Sequence, residues 1–385
     1  MQASPRKVIG DIGELIGIPS VSCSDESFDM SNKAVLERLS DMLQSAGFRV
    51  EWTGVDGQDD KFNLVATLGR GPGGLVLSGH SDTVPFDADS WSSDPFELTE
   101  RDGRLYGLGT ADMKSFFALA LAAAARISAN DLKRRLIVVA TADEETGMSG
   151  ARSLAFGRDK LADFALIGEP TNLRPVRVHK GILAERIVLV GRSGHSSNPA
   201  LGVSAVDGLR AVLNELTVLR LELQTEFTDD SFQVPHPTIN FGRVRGGDNP
   251  NRICAECLLD LDCRFLPGMK LHDVRKRIHQ RVRDCTQGSG LEVSFRPLFH
   301  GIEAMNTPAD SELVRAVESL TGHEAGAVAF ATEAPIFAGM GTEVVVAGAG
   351  SIDQAHQPDE YLELSAIEPA VGMLERLIGR YCTAS

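Results

Sequence analysis

RLIVVATADEETG, residues 135–147, runs an apolar, β-branched segment straight into three acids, Asp143, Glu144 and Glu145. A short continuous apolar run of this kind reads as a strand covered on both faces. Neighbouring side chains on a strand point to opposite faces, so Glu144 and Glu145 can share one site only if the strand has already ended. The same texture recurs outward from this stretch in NLVATLG (63–69), GLVLSGH (74–80), FALIGEP (164–170) and EVVVAGAG (343–350). Helical periodicity lies between these runs, at 31–48 with Gly47 as C-cap and in FFALALAAAARI (116–127). Apolar strands alternating with helices predict an α/β domain with a mostly parallel sheet and helices on both faces.

The texture changes near residue 180. AERIVLVGR and TINFGRV alternate as half-buried strands do, and helical patterns occupy 204–219 and 271–286. This predicts an α+β domain, one sheet with helices on one face, inserted at 181–296 into a discontinuous domain made of 1–180 and 297–385. TEFTDDSFQVPHP (225–237) is polar and punctuated by proline, and reads as a mobile loop.

A chain of 385 residues is long enough for two cores. A net charge of −15 argues against nucleic acid or an anionic membrane as partner and is compatible with a small cationic substrate. MQASPRKVIG lacks the apolar centre of a signal peptide, and the apolar run at 116–127 is shorter than the roughly 20 residues that span a bilayer. A cytoplasmic location is expected. Six cysteines in such a chain are expected to be free thiols. Cys254 and Cys257 form a CxxC, but no second CxxC or nearby CxxH completes a zinc site, and the surrounding ICAECLLDLDCRF reads as a packed strand.

Polar residues collect where the apolar strands end. GLVLSGH ends at His80, with Asp82 two residues later; RLIVVATA leads to Glu144 and Glu145; FALIGEP reaches Glu169; EVVVAGAG runs on to His356; and GLGTADMKS places Asp112 just before a helix. Ligands of open α/β sheets bind beyond the carboxyl ends of the strands. Carboxylates gathered without cations repel and resist ionisation, which a divalent metal relieves. Two imidazoles with three carboxylates suit zinc or a similar borderline ion, and a pair of metals needs one bridging carboxylate, for which Asp112 is best placed.

GHSDTVP, GLGTADMKS, TADEETG, GEPT, GHSSNP and AHQPDE together resemble the motif set of the acetylornithine deacetylase / succinyl-diaminopimelate desuccinylase family, in order and over nearly the whole chain. The resemblance implies a dinuclear amidohydrolase with two Zn2+, Co2+ being a possible substitute. His80 and Glu169 would hold one ion, Glu145 and His356 the other, and Asp112 would bridge them. Asp82 would hydrogen-bond His80 and fix its tautomer, Glu144 would be the general base, and the Asp112–Met113 peptide would be cis. His195, in GRSGHSSNP, would stabilise the oxyanion in the neighbouring subunit of a homodimer formed through 181–296. Asn251 and Arg264 would bind substrate, Arg264 through an α-carboxylate, with an ordinary strand-end salt bridge as its alternative.

VHKGIL, VAFATEAPIF and GAGSIDQAHQPDEYL are similar to the deacetylase branch of that family, which implies hydrolysis of N-acetyl-L-ornithine to L-ornithine and acetate. By the same resemblance, Thr332 would contact the substrate. Glu333 beside it would meet a substrate ammonium or simply start a helix. The usual DMKG reads DMKS here, with Ser115 still suited to a helix start, and CAEC replaces the adjacent cysteines usual in the deacetylases. A desuccinylase, another N-acyl-amino-acid amidohydrolase, and a non-catalytic binding homologue are the competing readings. Retention of Glu144, which no metal needs, weighs against the last.

Overall fold

The computed structural model describes residues 5–383. Gly74–His80 is a strand buried along its whole length, and it lies parallel to Arg135–Thr141 on one side and to Phe164–Ile167 on the other. Glu343–Val346 continues the parallel run beside Phe164–Ile167. These four strands therefore end at one edge, in register: His80 pairs with Thr141, Ser78 with Ile167, and Ile167 with Val346.

Both faces of this sheet are covered, as the unbroken apolar runs demand. Leu75, Leu77, Leu136, Val138 and Leu166 join one large core with Phe116, Phe117 and the helices Pro5–Ile16, Lys33–Ser45, Ser115–Ala124 and Leu364–Ile378. Val76, Ile137, Val139, Ala165 and Ile167 face the other way and are equally buried, on the side of the helices Ser149–Ala155 and Ala334–Gly339. All ten residues of Ser115–Ala124 are buried, which accounts for its lack of a polar face. Ser115 begins this helix, as expected. Gly47, at φ 89°, ends the helix Lys33–Ser45: its N–H donates to the Gln44 carbonyl, and the Phe48 N–H to that of Leu43, the paired bonds of a Schellman cap.

The sheet is mixed rather than wholly parallel. Gln58–Leu68, which contains NLVATLG, pairs antiparallel with Arg135–Thr141, and Arg49–Val55 pairs antiparallel with it in turn. The search for unbroken apolar runs missed Arg49–Val55 because its apolar residues Val50 and Trp52 alternate with the polar Arg49, Glu51 and Thr53, and all but Val55 are at least part-exposed. Asp56-Gly57 between the two strands, with Gly57 at φ 78°, carried the hairpin signal.

The described chain divides into two compact units, one taking residues up to Arg177, Thr307–Gly326 and those from Thr332 on, the other Val178–Asn306 and Ala327–Ala331. The second unit is a four-stranded antiparallel sheet in the order Thr238–Gly246, Glu256–Phe265, Gly181–Val190, Glu292–Pro297. Every other residue of Glu256–Phe265 is buried, against the helices Ala205–Glu226 and Leu271–Thr286. Ser204 caps the first helix by accepting the Asp207 N–H. That helix runs to Glu226, seven residues beyond the periodicity assigned to it, because Leu219 and Leu223 extend the buried stripe of Leu209, Val212 and Leu216. Arg277 and Arg281 pair with Glu215, Glu222 and Glu226 to tie the two helices together. The polar loop that follows is anchored by Phe232, which is buried in this core.

Among the described residues no helix is long and apolar enough to cross a membrane, and all six cysteines are free thiols.

Candidate metal centre

The strand ends deliver their polar residues to one place within the first unit. His80 Nδ1–H donates to the Asp82 main-chain carbonyl at 2.9 Å, so Nε2 is the nitrogen presented to the site. It lies 3.0 Å from Asp112 Oδ1. Both atoms are acceptors when the groups carry their ordinary charges, so they need a proton or a cation between them. On the far side of the same carboxylate, His356 Nε2 stands 3.7 Å from Asp112 Oδ2 and 3.1 Å from Glu145. Glu169 is buried beside Asp112. Ligand atoms of His80, Asp112 and Glu145 all fall within 4.8 Å of one another. Asp112 thus presents a separate oxygen to each of two histidines that are 276 residues apart in sequence, counted from 80 to 356.

The adjacent glutamates share the site because the strand stops at Thr141 and the chain turns at Asp143, at φ 55°. Asp143 is an anchor rather than a site residue: its carboxylate accepts from Ser22 Oγ, Ser149 Oγ and the buried Lys61 Nζ. Asp82 then grips the turn from the other side, accepting the Glu144 N–H at 3.3 Å and the Glu145 N–H at 3.2 Å. This amends the expected role of Asp82. Its carboxylate is 3.7 Å from His80 Nδ1, too far for a hydrogen bond, and its carbonyl fixes the tautomer instead.

Electrostatics of the cluster are those of a site built for cations. Burial, with Asp112 next, pushes the Glu169 carboxyl well above its usual range. Burial and Glu169 do the same to Glu144. Burial pushes Asp82 up to about 6, with Glu145 and Asp143 adding to it. For His80, burial opposes the charge, but its hydrogen bond to Asp112 and the surrounding carboxylates raise it well above the ordinary value. Carboxylates held so close lose much of their acidity, and divalent cations restore it. Two imidazoles among hard carboxylates fit zinc-like ions, so the residues present match the group their pattern implies.

Glu360 was not singled out from sequence. It is buried, and its Oε1 accepts N–H bonds from Ala111 at 2.7 Å, Asp112 at 3.0 Å and Gly109 at 3.1 Å, with Oε2 also 3.1 Å from Gly109 N. Burial pushes it up to about 8. Its own carbonyl takes the Gly107 N–H. Glu360 therefore holds the loop that presents Asp112, from a position four residues beyond His356. The Asp112–Met113 peptide is cis. Lys114, also buried, donates to the Ile18 carbonyl at 2.7 Å.

Thr332 is buried, and its hydroxyl accepts the Ala334 N–H at the start of the helix Ala334–Gly339. Glu333 begins the same helix and is buried against Thr141; burial pushes it up to about 7. His195, Asn251 and Arg264 belong to the second unit. His195 is exposed, with Nδ1 accepting from the Ser197 N–H and facing the Ser197 hydroxyl at 2.8 Å. The Asn251 carbonyl accepts the Ser196 N–H beside it. Arg264 Nε donates to Asp262 at 2.9 Å, the strand salt bridge that stood as its alternative.

The sequence profile of Peptidase family M20/M25/M40 matches residues 76–380, a span that contains the whole cluster. The acetylornithine deacetylase of Proteus mirabilis is 44% identical over 371 residues, covering 96% of each chain. That of Edwardsiella ictaluri is 45% identical over 369 residues with the same coverage. Among solved structures, an M20 family metallo-carboxypeptidase from Sulfolobus solfataricus aligns over 97% of this chain and 98% of its own, with a TM-score of 0.77 at 18% identity. A tripeptidase from Staphylococcus aureus aligns over 98% of both chains with a TM-score of 0.75, also at 18% identity. At such identities these structures speak for the fold alone. Sequence profile, full-length relatives and a carboxylate–imidazole cluster at the sheet edge agree: the chain belongs to peptidase family M20/M25/M40 and is a metal-dependent amidohydrolase.

Proposed function

We propose that the chain hydrolyses N-acetyl-L-ornithine to L-ornithine and acetate, a step of arginine biosynthesis, in the cytoplasm. The observation that carries the chemistry is the placement of the two Asp112 oxygens, one toward His80 and one toward His356. Two divalent cations fit there, zinc by donor type and cobalt as a substitute. His80 and Glu169 would hold one, Glu145 and His356 the other, and Asp112 both. When bound, such ions polarise the scissile carbonyl and make water acidic near neutral pH.

The residues of the chain then divide the work. Glu144 removes the proton from the attacking water and returns it to the leaving amine, which suits a carboxyl whose acidity its surroundings have weakened. Glu145, its neighbour, would hold metal. Asp82 keeps both in place through their N–H groups and keeps His80 in one tautomer through its carbonyl. His195 supplies a hydrogen bond to the oxyanion in the partner subunit of a homodimer. The exposed apolar residues Val206, Val218 and Leu221, on the helix Ala205–Glu226, support a dimer surface on the second unit. Asn251 binds substrate, the terminal nitrogens of Arg264 pair with its α-carboxylate, and Thr332 contacts the substrate.

The full-length relatives that are acetylornithine deacetylases support the substrate. Turnover of acetylornithine, succinyl-diaminopimelate and acetylmethionine by the metal-loaded protein tests it. Acetylornithine is expected to give the highest kcat/KM. A higher value for either of the others would overturn the assignment.

A further inference from the structure

Cys254 and Cys257, the CxxC pair of the sequence, belong to the second unit. Their Sγ atoms are 3.6 Å apart. Cys257 is 1% exposed, whereas Cys254 is part-exposed and lines a surface cavity of about 400 Å3 with Arg245 and Arg252. Gly246 pairs with Cys257 across the sheet, and a Cβ there would lie 2.3 Å from Cys257 Sγ, so the space for that thiol depends on a glycine. Among the described residues no further His, Cys, Asp or Glu joins the pair in a metal-holding group. Two thiols without further ligands are not a zinc site.

The stretch that carries Cys254 is bound to the loop that carries His195. The Ile253 N–H donates to the Gly194 carbonyl at 2.9 Å, the Ala205 N–H to that of Cys254 at 2.8 Å, and the Gly191 N–H to that of Ala255 at 2.7 Å. An isolated bridge pairs His195 with Arg252 next to the Ile253–Gly194 bond.

We propose that Cys254 and Cys257 form a reversible intrachain disulfide and that its formation restrains the His195 loop. The oxidant is a low-molecular-weight disulfide. The Cys254 thiolate attacks one of its sulfurs, the S–S bond breaks, and the first thiol leaves with the proton that Cys254 gave up. The Cys257 sulfur then attacks Cys254 Sγ and expels the second thiol, which takes the proton of Cys257. Two protein thiols are oxidised and one small disulfide is reduced to two thiols. Burial pushes Cys257 up to about 12, which leaves the first attack to the part-exposed Cys254. Closing the sulfurs from 3.6 Å to a bond of about 2.05 Å draws the two residues together. The three backbone hydrogen bonds carry the new constraint into residues 191–205.

The full chain, fully reduced, would be incubated with glutathione disulfide, quenched by alkylation and mapped by mass spectrometry. Neither readout involves substrate turnover, so the outcome is independent of the assigned reaction. Loss of two of the six free thiols to a Cys254–Cys257 cross-link, with a mass lower by two hydrogens, is the expected result. Cys257→Ser should halt at a glutathione adduct on Cys254, and Cys254→Ser should not react at this site. Hydrogen exchange of residues 191–205 should slow in the oxidised wild type relative to the reduced protein. A persistent glutathione adduct in the wild type, or a cross-link elsewhere, overturns the disulfide; unchanged exchange in 191–205 overturns its coupling to the His195 loop.

Discussion

Replacing Glu360 with alanine should damage the centre without touching a proposed metal ligand. The substitution strips a common acceptor from three buried N–H groups, those of Gly109, Ala111 and Asp112. A buried donor left unpaired costs about 1–3 kcal/mol. Water entering the vacated space would satisfy part of the deficit, so a loss of about 3–6 kcal/mol is expected for the three donors together. Glu360→Gln keeps a carbonyl for the bonds now made by Oε1 but turns an amide donor toward Gly109 N, and should lose about 1 kcal/mol. Urea unfolding of metal-free protein measures the scaffold, and atomic spectroscopy after reloading measures the centre. Alanine should lower both stability and metal content, with glutamine intermediate, since a loosened loop no longer fixes Asp112. If Glu360→Ala unfolded at the wild-type urea concentration and still bound a full metal complement, the assignment of Glu360 as the support of Asp112 would be wrong.

The division of labour between the paired glutamates has its own signature: Glu144→Ala should retain metal and lose about 10²–10⁴-fold in turnover, whereas Glu145→Ala should lose metal. Equal metal loss in both variants would refute it. His179, buried in the second unit, has its pKa lowered by burial from 6.5 to about 4. A histidine with a depressed folded pKa contributes stability that is present above pH 6.5 and is lost as pH falls from 6.5 to 4. The 2.5-unit span from 6.5 to about 4 sets the limit at about 3 kcal/mol, and His179→Gln should flatten the pH dependence of unfolding in that window; an unchanged slope would count against it. Gly168→Ala would place a Cβ 2.2 Å from the Phe116 ring, beside Glu169. It should destabilise by about 1–3 kcal/mol and weaken metal retention, and Phe116→Leu should recover part of the loss; a fully stable, metal-replete Gly168→Ala would show that the strand end can shift freely.

Much of the frame was legible because burial on both faces writes itself into sequence. Gly74–His80 and Arg135–Thr141 lie where their unbroken apolar runs put them, and their shared direction brings His80 and the acids after Thr141 to one edge. Arg49–Val55 was not legible in the same way, since an outer strand covered on one face alternates apolar with polar residues and shows no unbroken apolar run. Within the site, residue types revealed the donors but not the supports. Asp82 acts on His80 through its carbonyl, an atom every residue has. Glu360 looks like any acid in a polar turn until its burial is seen. The Asp262–Arg264 pair was available in principle, because residues two apart on a strand share a face.

The dependence of Asp112 on Glu360 also orders events during synthesis. A nascent chain that has exposed His80, Asp112, Glu145 and Glu169 still lacks both His356 and the acid that holds the Asp112 loop, since His356 lies 187 residues beyond Glu169, counted from 169 to 356, and Glu360 four further on. Divalent ions met by the growing chain therefore encounter scattered carboxylates rather than a finished centre. Metal selection waits for the segment that carries His356 and Glu360 to join the fold, when geometry rather than raw affinity can discriminate among ions.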